Sequence, residues 1–295
     1  MTKPLSGTEG RHPDSDDLHR LDPQRAMSLL LGAQRLALAA VDAAIPDLAR
    51  AAAAGVRALR DGGRLGYAGA GSSGLMALAD CLELPGTFGL SPDRTPMLFA
   101  GGPDALLRMH GSFEDDPAIA LADLDRAGLT QGDALLVVSA SGTTPYALAV
   151  AQGARARGVT VVGIANVAGA ALLGATDIPV LIETGAEMVA GSTRMGAATA
   201  QKVALNMISV LVGIGLGHVH AGRMVNLVAD NAKLVERAAL IVADLAGVPD
   251  ARAREALART GGAVKPAILV ARGADPDAAR AALNDSGGHL GPLMG

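Results

Sequence analysis

The 295-residue chain has no tryptophan, two tyrosines, three phenylalanines and one cysteine. Aromatic residues make up 2% of it, which excludes a protein that binds nucleic acid by stacking bases on aromatic platforms. A strong excess of positive charge is also missing. The net charge is −4, whereas a surface that neutralises a phosphate backbone is basic. The lone cysteine, Cys81, leaves neither a disulfide framework nor a cysteine-based zinc site, and it fits a reducing, cytoplasmic setting. The opening stretch MTKPLSGTEGRHPDSDD has no apolar centre of the kind a signal peptide needs. The longest apolar run, 207–216, falls short of the roughly 20 residues of a membrane span and predicts a buried helix.

What is present is small and apolar. Half the residues are hydrophobic and 38 are glycine, so the core is filled by Ala, Val, Leu, Ile and Met packed at close range. That is too apolar for a disordered chain, and the length suggests about two domains. Residues 1–22 are polar and predict an arm ordered only by a partner chain. From Pro23 the apolar residues recur at helical spacing. Pro46 then predicts a stop and a second helix up to Gly62-Gly63, a helical hairpin. Short apolar strands follow at 64–69, 95–101, 133–141, 159–166 and 176–183, alternating with helical segments. This pattern predicts an α/β fold with a doubly wound, five-stranded parallel sheet. The expected α/β domain covers 23–245, and 246–295 reads as a small module of three amphipathic helices.

Two strand–loop–helix junctions could hold a phosphate. The first is Gly69-Ala70-Gly71-Ser72-Ser73-Gly74, leading into a helix expected from Gly74. Glycines let the backbone turn tightly, and a helix start offers free N–H groups to an anion. The G-x-G-x-x-G spacing is formally that of a dinucleotide fold, but no acidic residue follows on a second strand; Asp93 lies in a loop-like SPDRTP. The second is Ser139-Ala140-Ser141-Gly142-Thr143-Thr144-Pro145, where hydroxyls and backbone N–H groups converge, unless Thr144 is only a helix cap. Both lie where strands end, the edge at which open α/β sheets bind ligands.

The pair GAGSSG and SASGTTP resembles the sugar isomerase domain, a phosphosugar-binding fold. A third stretch, Glu187-Met188-Val189-Ala190-Gly191-Ser192-Thr193-Arg194 followed by MGAATAQK, resembles the signature of the N-acetylmuramic acid 6-phosphate etherases and the related glucokinase regulatory proteins. DCLELPGTFG (80–89), AGGPDALLR (100–108), Glu114-Asp115-Asp116-Pro117 and DNAKLVERA (230–238) match the etherases as well. The resemblance spans nearly the whole chain. It implies a cytoplasmic, homodimeric lyase of amino-sugar metabolism and peptidoglycan recycling, acting on a phosphorylated amino sugar. No cofactor, metal, nucleic acid or membrane is implied.

Etherases of this family eliminate the lactyl group from an open-chain sugar and then add water, which calls for one acid and one base. Glu83 and Glu114 match the family's catalytic pair. Glu83 ends an apolar helix, so a desolvated carboxyl with a raised pKa is expected there, suiting the acid. Glu114 opens an acidic run, suits the base, and could instead serve an N-cap cluster. Gly71, Ser72, Ser73, Ser139, Ser141, Gly142, Thr143 and Thr144 are the expected phosphate cradle, with Glu187, Ser192 and Arg194 as further contacts. Ser192 is also a candidate cap for the following helix, and Glu187 could reach a sugar hydroxyl. Arg194 and Lys202, eight apart, would share a helix face and could meet a phosphate or a charge across a dimer. His218 and His220 would diverge on a helix, and His220 is a candidate contributed by a partner subunit. Where the family usually has basic residues this chain has Leu75, Thr143 and Gly196, and Gly86 stands for the usual proline. Each charged hydrogen bond to an anion contributes about 1.5–3 kcal/mol, so these changes bear on the substrate. An aldose–ketose phosphosugar isomerase and a non-catalytic sugar-phosphate sensor are the alternative readings.

Overall fold

A computed structural model describes residues 7–109 and 111–295; the first residues of the expected arm, 1–6, lie outside them. The chain divides into two compact units, Met1–Cys81 with Asp93–Ser209 and Leu82–Pro92 with Val210–Gly295.

The first unit opens with short 3-10 turns at Gly7–Glu9, Pro13–Ser15 and Leu18–Arg20. The described part of the arm is held by its own chain: Thr8 is buried, and its carbonyl accepts from the Gly191 N–H at 3.1 Å. Helix α1 (Pro23–Ala39) starts on Asp22, whose carboxylate accepts from the N–H groups of Gln24 and Arg25. Helix α2 (Val41–Arg60) follows after one residue, at an angle of 44°. The expected hairpin is therefore wrong. Ala40 alone separates the helices and keeps right-handed helical dihedrals, which leaves no chain for a reversal. Pro46 does not stop a helix either. It lies inside α2 as its sixth residue and removes the one hydrogen bond that a residue there would donate to the Asp42 carbonyl.

Five parallel strands form the sheet: β1 (Leu65–Gly69), β2 (Met97–Phe99), β3 (Ala134–Val138), β4 (Thr160–Ala165) and β5 (Ile178–Leu181), in the order β2-β1-β3-β4-β5. β1 and β3 run in register from Leu65↔Ala134 to Gly69↔Val138, and every residue of both is buried. Between them come α3 (Gly71–Phe88), α4 (Gly102–Leu107), α5 (Pro117–Ala127), α6 (Pro145–Ala156) and α7 (Ala171–Gly174). One face of the sheet buries Ala68, Leu135, Val137 and Val161 with Ala120 and Leu124 of α5 and Tyr146, Ala147 and Val150 of α6. Helix α2 contacts β1, β3 and β5. The expected α/β class and doubly wound sheet are thus observed.

Helix α8 (Gly196–Gly215) is the one described helix long and apolar enough by length and composition to cross a membrane. Alanines carry it from Gly196 into the apolar run. More than half of it is buried within the chain, with Ala197, Ala200, Ala204, Leu205 and Ile208 fully covered, as in the core helix of a folded domain.

The second unit contains a two-stranded hairpin, β6 (Val219–His220) and β7 (Arg223–Met224), and helices α9 (Ala232–Ala246), α10 (Asp250–Arg259), α11 (Val264–Ala271) and α12 (Pro276–Asp285). The expected boundary at 246 cuts through one core: Ala239 and Val242 of α9 pack with Ala253, Ile268 and Leu283. The three helices expected after 246 are α10, α11 and α12, and α9 joins them by supplying the face that α10 and α11 cover.

Candidate functional site

The strand order 2-1-3-4-5 reverses direction between β1 and β3, and chains leaving two neighbouring strands in opposite directions open a crevice at their carboxyl ends. A cavity of about 320 Å³ lies there, lined by Glu9, Ala70, Gly71, Ser72, Ser73, Met109, Glu114, Ser139, Ala140, Ser141, Thr144 and Thr193. All of these belong to the first unit.

The two loops are tied to each other. Ser73 Oγ accepts from the Ala140 N–H at 3.2 Å, which joins the first loop to the second. Ser139 Oγ accepts from the Gly142 N–H at 3.1 Å and lies 2.9 Å from Thr144 Oγ1. Helix α3 starts at Gly71 rather than Gly74, so Ser72 and Ser73 occupy its first turn, where N–H groups lack partners within the helix. Thr144 makes no capping bond to α6; its hydroxyl stays with Ser139 at the cavity wall. Among the described residues no lysine or arginine lines the cavity, so an anion there meets hydroxyls and the α3 amide end.

Glu114 lies beside this cradle. Its carbonyl accepts from the Tyr146 N–H at 3.0 Å, fixing it to the start of α6. Its carboxylate faces Gly71, where an added Cβ would be 2.5 Å from Oε1. Gly71 also has φ +53°, so glycine is required there twice over. The N-cap reading for Glu114 fails, because Asp116 fills that role by accepting from the Ala118 N–H at 2.8 Å. Burial, and then the neighbouring Asp115, push the Glu114 carboxyl above its ordinary value.

Several expected contacts are elsewhere. Glu187 is buried at 5% exposure, and its two oxygens accept from the Gly196 and Ala197 N–H groups, each at 2.9 Å. It caps α8, the role expected of Ser192, because its position nine residues before Gly196 lets the intervening turn fold back. Neither Glu187 nor Ser192 lines the cavity; Thr193, between Ser192 and Arg194, does. Arg194 is exposed in the turn before α8, so it shares no helix face with the exposed Lys202. Gly142 and Thr143 do not line the cavity. Gly142, at φ +63°, turns toward Ala170, whose Cβ an added side chain would strike at 2.5 Å. The Thr143 hydroxyl donates to Ser141 Oγ at 3.1 Å. His220 sits on strand β6 rather than a helix. Glu9 and Met109 line the cavity with no signal in their local sequence.

The few aromatics flank the site as anchors rather than walls. Tyr67 is buried under it and donates to Asp80 Oδ2 at 2.9 Å; Asn206 Nδ2 and the Ser209 hydroxyl donate to Asp80 Oδ1 at 2.6 and 2.9 Å. This network fixes α3 against β1 and α8. Tyr146, also buried, donates to Asp123 Oδ2 at 2.7 Å and fixes α6 to α5.

Residues 32–166 match the SIS domain family. The N-acetylmuramic acid 6-phosphate etherase of Deinococcus radiodurans is 42% identical, over 100% of this chain and 97% of that protein. The protein of the same name from Streptomyces avermitilis is 40% identical, over 96% of this chain and 91% of its own length. This chain belongs to the N-acetylmuramic acid 6-phosphate etherase family. Among solved structures, a phosphoheptose isomerase from Francisella tularensis covers 65% of this chain and 96% of its own, at 22% identity and a TM-score of 0.48.

Within the etherase family's pattern, Glu83 falls in the second unit, on the part of α3 beyond Cys81. Its side chain is exposed, which corrects the expected desolvation. The apolar residues around it in sequence, Cys81 and Leu84, turn to the other side of the helix and are buried. At Gly196, where the etherases usually carry a basic residue, an added Cβ would lie 2.9 Å from Ala37 Cβ and 3.0 Å from Glu187 Oε2. No group of three His, Cys, Asp or Glu side chains suited to a metal occurs among the described residues.

Proposed function

We propose that this etherase-family chain is a carbon–oxygen lyase. Its substrate would be N-acetylmuramic acid 6-phosphate, split to N-acetylglucosamine 6-phosphate and D-lactate. The observation that carries the reading is the placing of one half-buried carboxyl, Glu114, against the hydroxyl- and amide-lined cradle at the β1/β3 crevice. The phosphate would rest on Ser72, Ser73, Ser139, Ser141 and Thr144. That leaves Glu114 to face carbon rather than phosphorus.

In the reaction, Glu114 takes the proton from the carbon next to the open-chain aldehyde. The electron pair forms a carbon–carbon double bond, and the ether bond at the following carbon breaks. The departing lactate oxygen takes a proton from a general acid, the role in which Glu83 matches the family's catalytic pair. Water then adds across the double bond, its hydroxyl to the carbon that lost the ether and a proton to the carbon that was deprotonated. Burial favours this division of labour, because a carboxylate with a raised pKa is a stronger base than an ordinary one.

The working form we propose is a homodimer in the cytoplasm. Val210, Leu211 and Ile214 of α8 are exposed apolar residues of the kind a second copy covers. His220 and Lys202 are the candidates for contacts across that interface.

Incubation with N-acetylmuramic acid 6-phosphate, followed by enzymatic assay of D-lactate, tests the reading. Lactate release is expected. No lactate, together with thermal stabilisation by other sugar phosphates, would overturn it in favour of an isomerase or a sensor.

A further inference from the structure

The cavity holds a second carboxylate, and neither the family signature stretches nor the two loops supply it. Glu9 comes from the N-terminal arm, far in sequence from every other lining residue. The arm is fixed at that point. Gly7 abuts Val167, whose Cγ2 would lie 3.0 Å from an added Cβ, and the buried Thr8 takes the Gly191 N–H on its carbonyl. Glu9 therefore lies on the 191–193 turn, its Oε2 3.1 Å from where a Cβ on Gly191 would be. Thr193 of the same turn lines the cavity beside it.

An ionised carboxylate only accepts hydrogen bonds. It cannot bind the phosphate of an anionic substrate, and it repels it. The part of a phosphosugar that suits it is the part rich in donors, the ring or chain hydroxyls and an acetamido N–H. Serine and threonine hydroxyls with the α3 amide end form one wall, where Glu114 meets Gly71, and the arm brings a second carboxylate to the wall formed by the 191–193 turn.

We propose that Glu9 is a specificity residue that accepts a hydrogen bond from a hydroxyl or amide N–H of the sugar and so fixes which end of the ligand enters the serine loops. This rests on the phosphosugar reading of the cavity, though not on the etherase chemistry.

The test compares Glu9→Gln and Glu9→Ala with the wild type by calorimetric binding of two probes, inorganic phosphate and N-acetylglucosamine 6-phosphate. Glu9→Gln keeps the shape of the side chain and removes its charge. Both variants are expected to bind the sugar phosphate about tenfold or more weakly, while binding inorganic phosphate as well as or better than the wild type, with an unchanged melting temperature. Equal weakening of both probes would make Glu9 a structural part of the arm. Equal tightening of both would make it only a repulsive charge, and no change in either would remove it from the site; each result overturns the proposal. A wild type that binds the sugar phosphate yet releases no lactate sinks the etherase reading alone, and the Glu9 comparison still stands.

Discussion

Glu187 and Glu114 are both withdrawn from water in the first unit, and their surroundings give them opposite characters. Glu187 is nearly fully buried, but each oxygen accepts a backbone N–H at the positive end of a long helix. Its charge is answered, and it holds the turn that carries Thr193. Glu114 is less buried, yet burial is the largest influence on it and the charge that acts on it next, that of Asp115, has the same sign. Its charge is penalised, and its proton affinity rises. Withdrawal from water alone does not make a carboxyl reactive. A buried carboxyl whose oxygens accept backbone N–H groups is a structural cap, whereas one whose charge is disfavoured by burial and by a like-charged neighbour holds a proton more tightly.

The largest expected effect is on turnover. Glu114→Gln should lower kcat by roughly 10²–10⁴-fold, the usual scale for losing a general base. Because the ionised carboxylate is penalised by the fold, this variant should melt no lower than the wild type at neutral pH. Loss of stability instead would place Glu114 with Glu187 and erase the contrast. Glu187→Ala should do the reverse. Two N–H groups lose their acceptor, at about 1–3 kcal/mol each, so denaturant unfolding of the first unit should show a loss of several kcal/mol. An unaffected midpoint would show that Ser192 or water can replace the cap.

Gly71→Ala comes next. The left-handed backbone costs an alanine about 1–2 kcal/mol, and its Cβ collides with Glu114 Oε1. Kinetics should show kcat falling further than stability does, since the collision moves the base itself. The smallest effect sharpens the contrast through pH. The active form of Glu114 is deprotonated and its pKa in the fold is raised, so activity should fall as pH drops through a value above the ordinary 4.5 of a glutamate. A kcat–pH profile whose acidic limb lies at or below 4.5 would contradict the burial argument.

Local chemistry explains which parts of this were readable from sequence. The five strands are short unbroken apolar runs, so the sheet was legible, and the glycines and hydroxyls after β1 and β3 marked the two loops that line the cavity at its edge. Pro46 misled because an interior proline removes a single hydrogen bond, while α2 buries Val41, Ala44, Leu48, Ala51 and Ala52 on both sides of it, and that burial is a tertiary fact. The α8 cap was misassigned because Ser192 has the right type near the right place, while Glu187 reaches Gly196 only through a folded turn. Glu9 was invisible for a similar reason. Its partners lie on segments far along the chain, and no local spacing records a contact made by an arm folding back.

The most direct test of the account is solvent hydrogen exchange in heavy water with N-acetylmuramic acid 6-phosphate, read alongside D-lactate. The wild type should release lactate and leave deuterium on the carbon next to the aldehyde. Glu83→Gln should still exchange that hydrogen without releasing lactate, and Glu114→Gln should do neither. Exchange that persists in Glu114→Gln and vanishes in Glu83→Gln would contradict it, because the carboxyl that burial has made the stronger base would then not be the one that takes the proton.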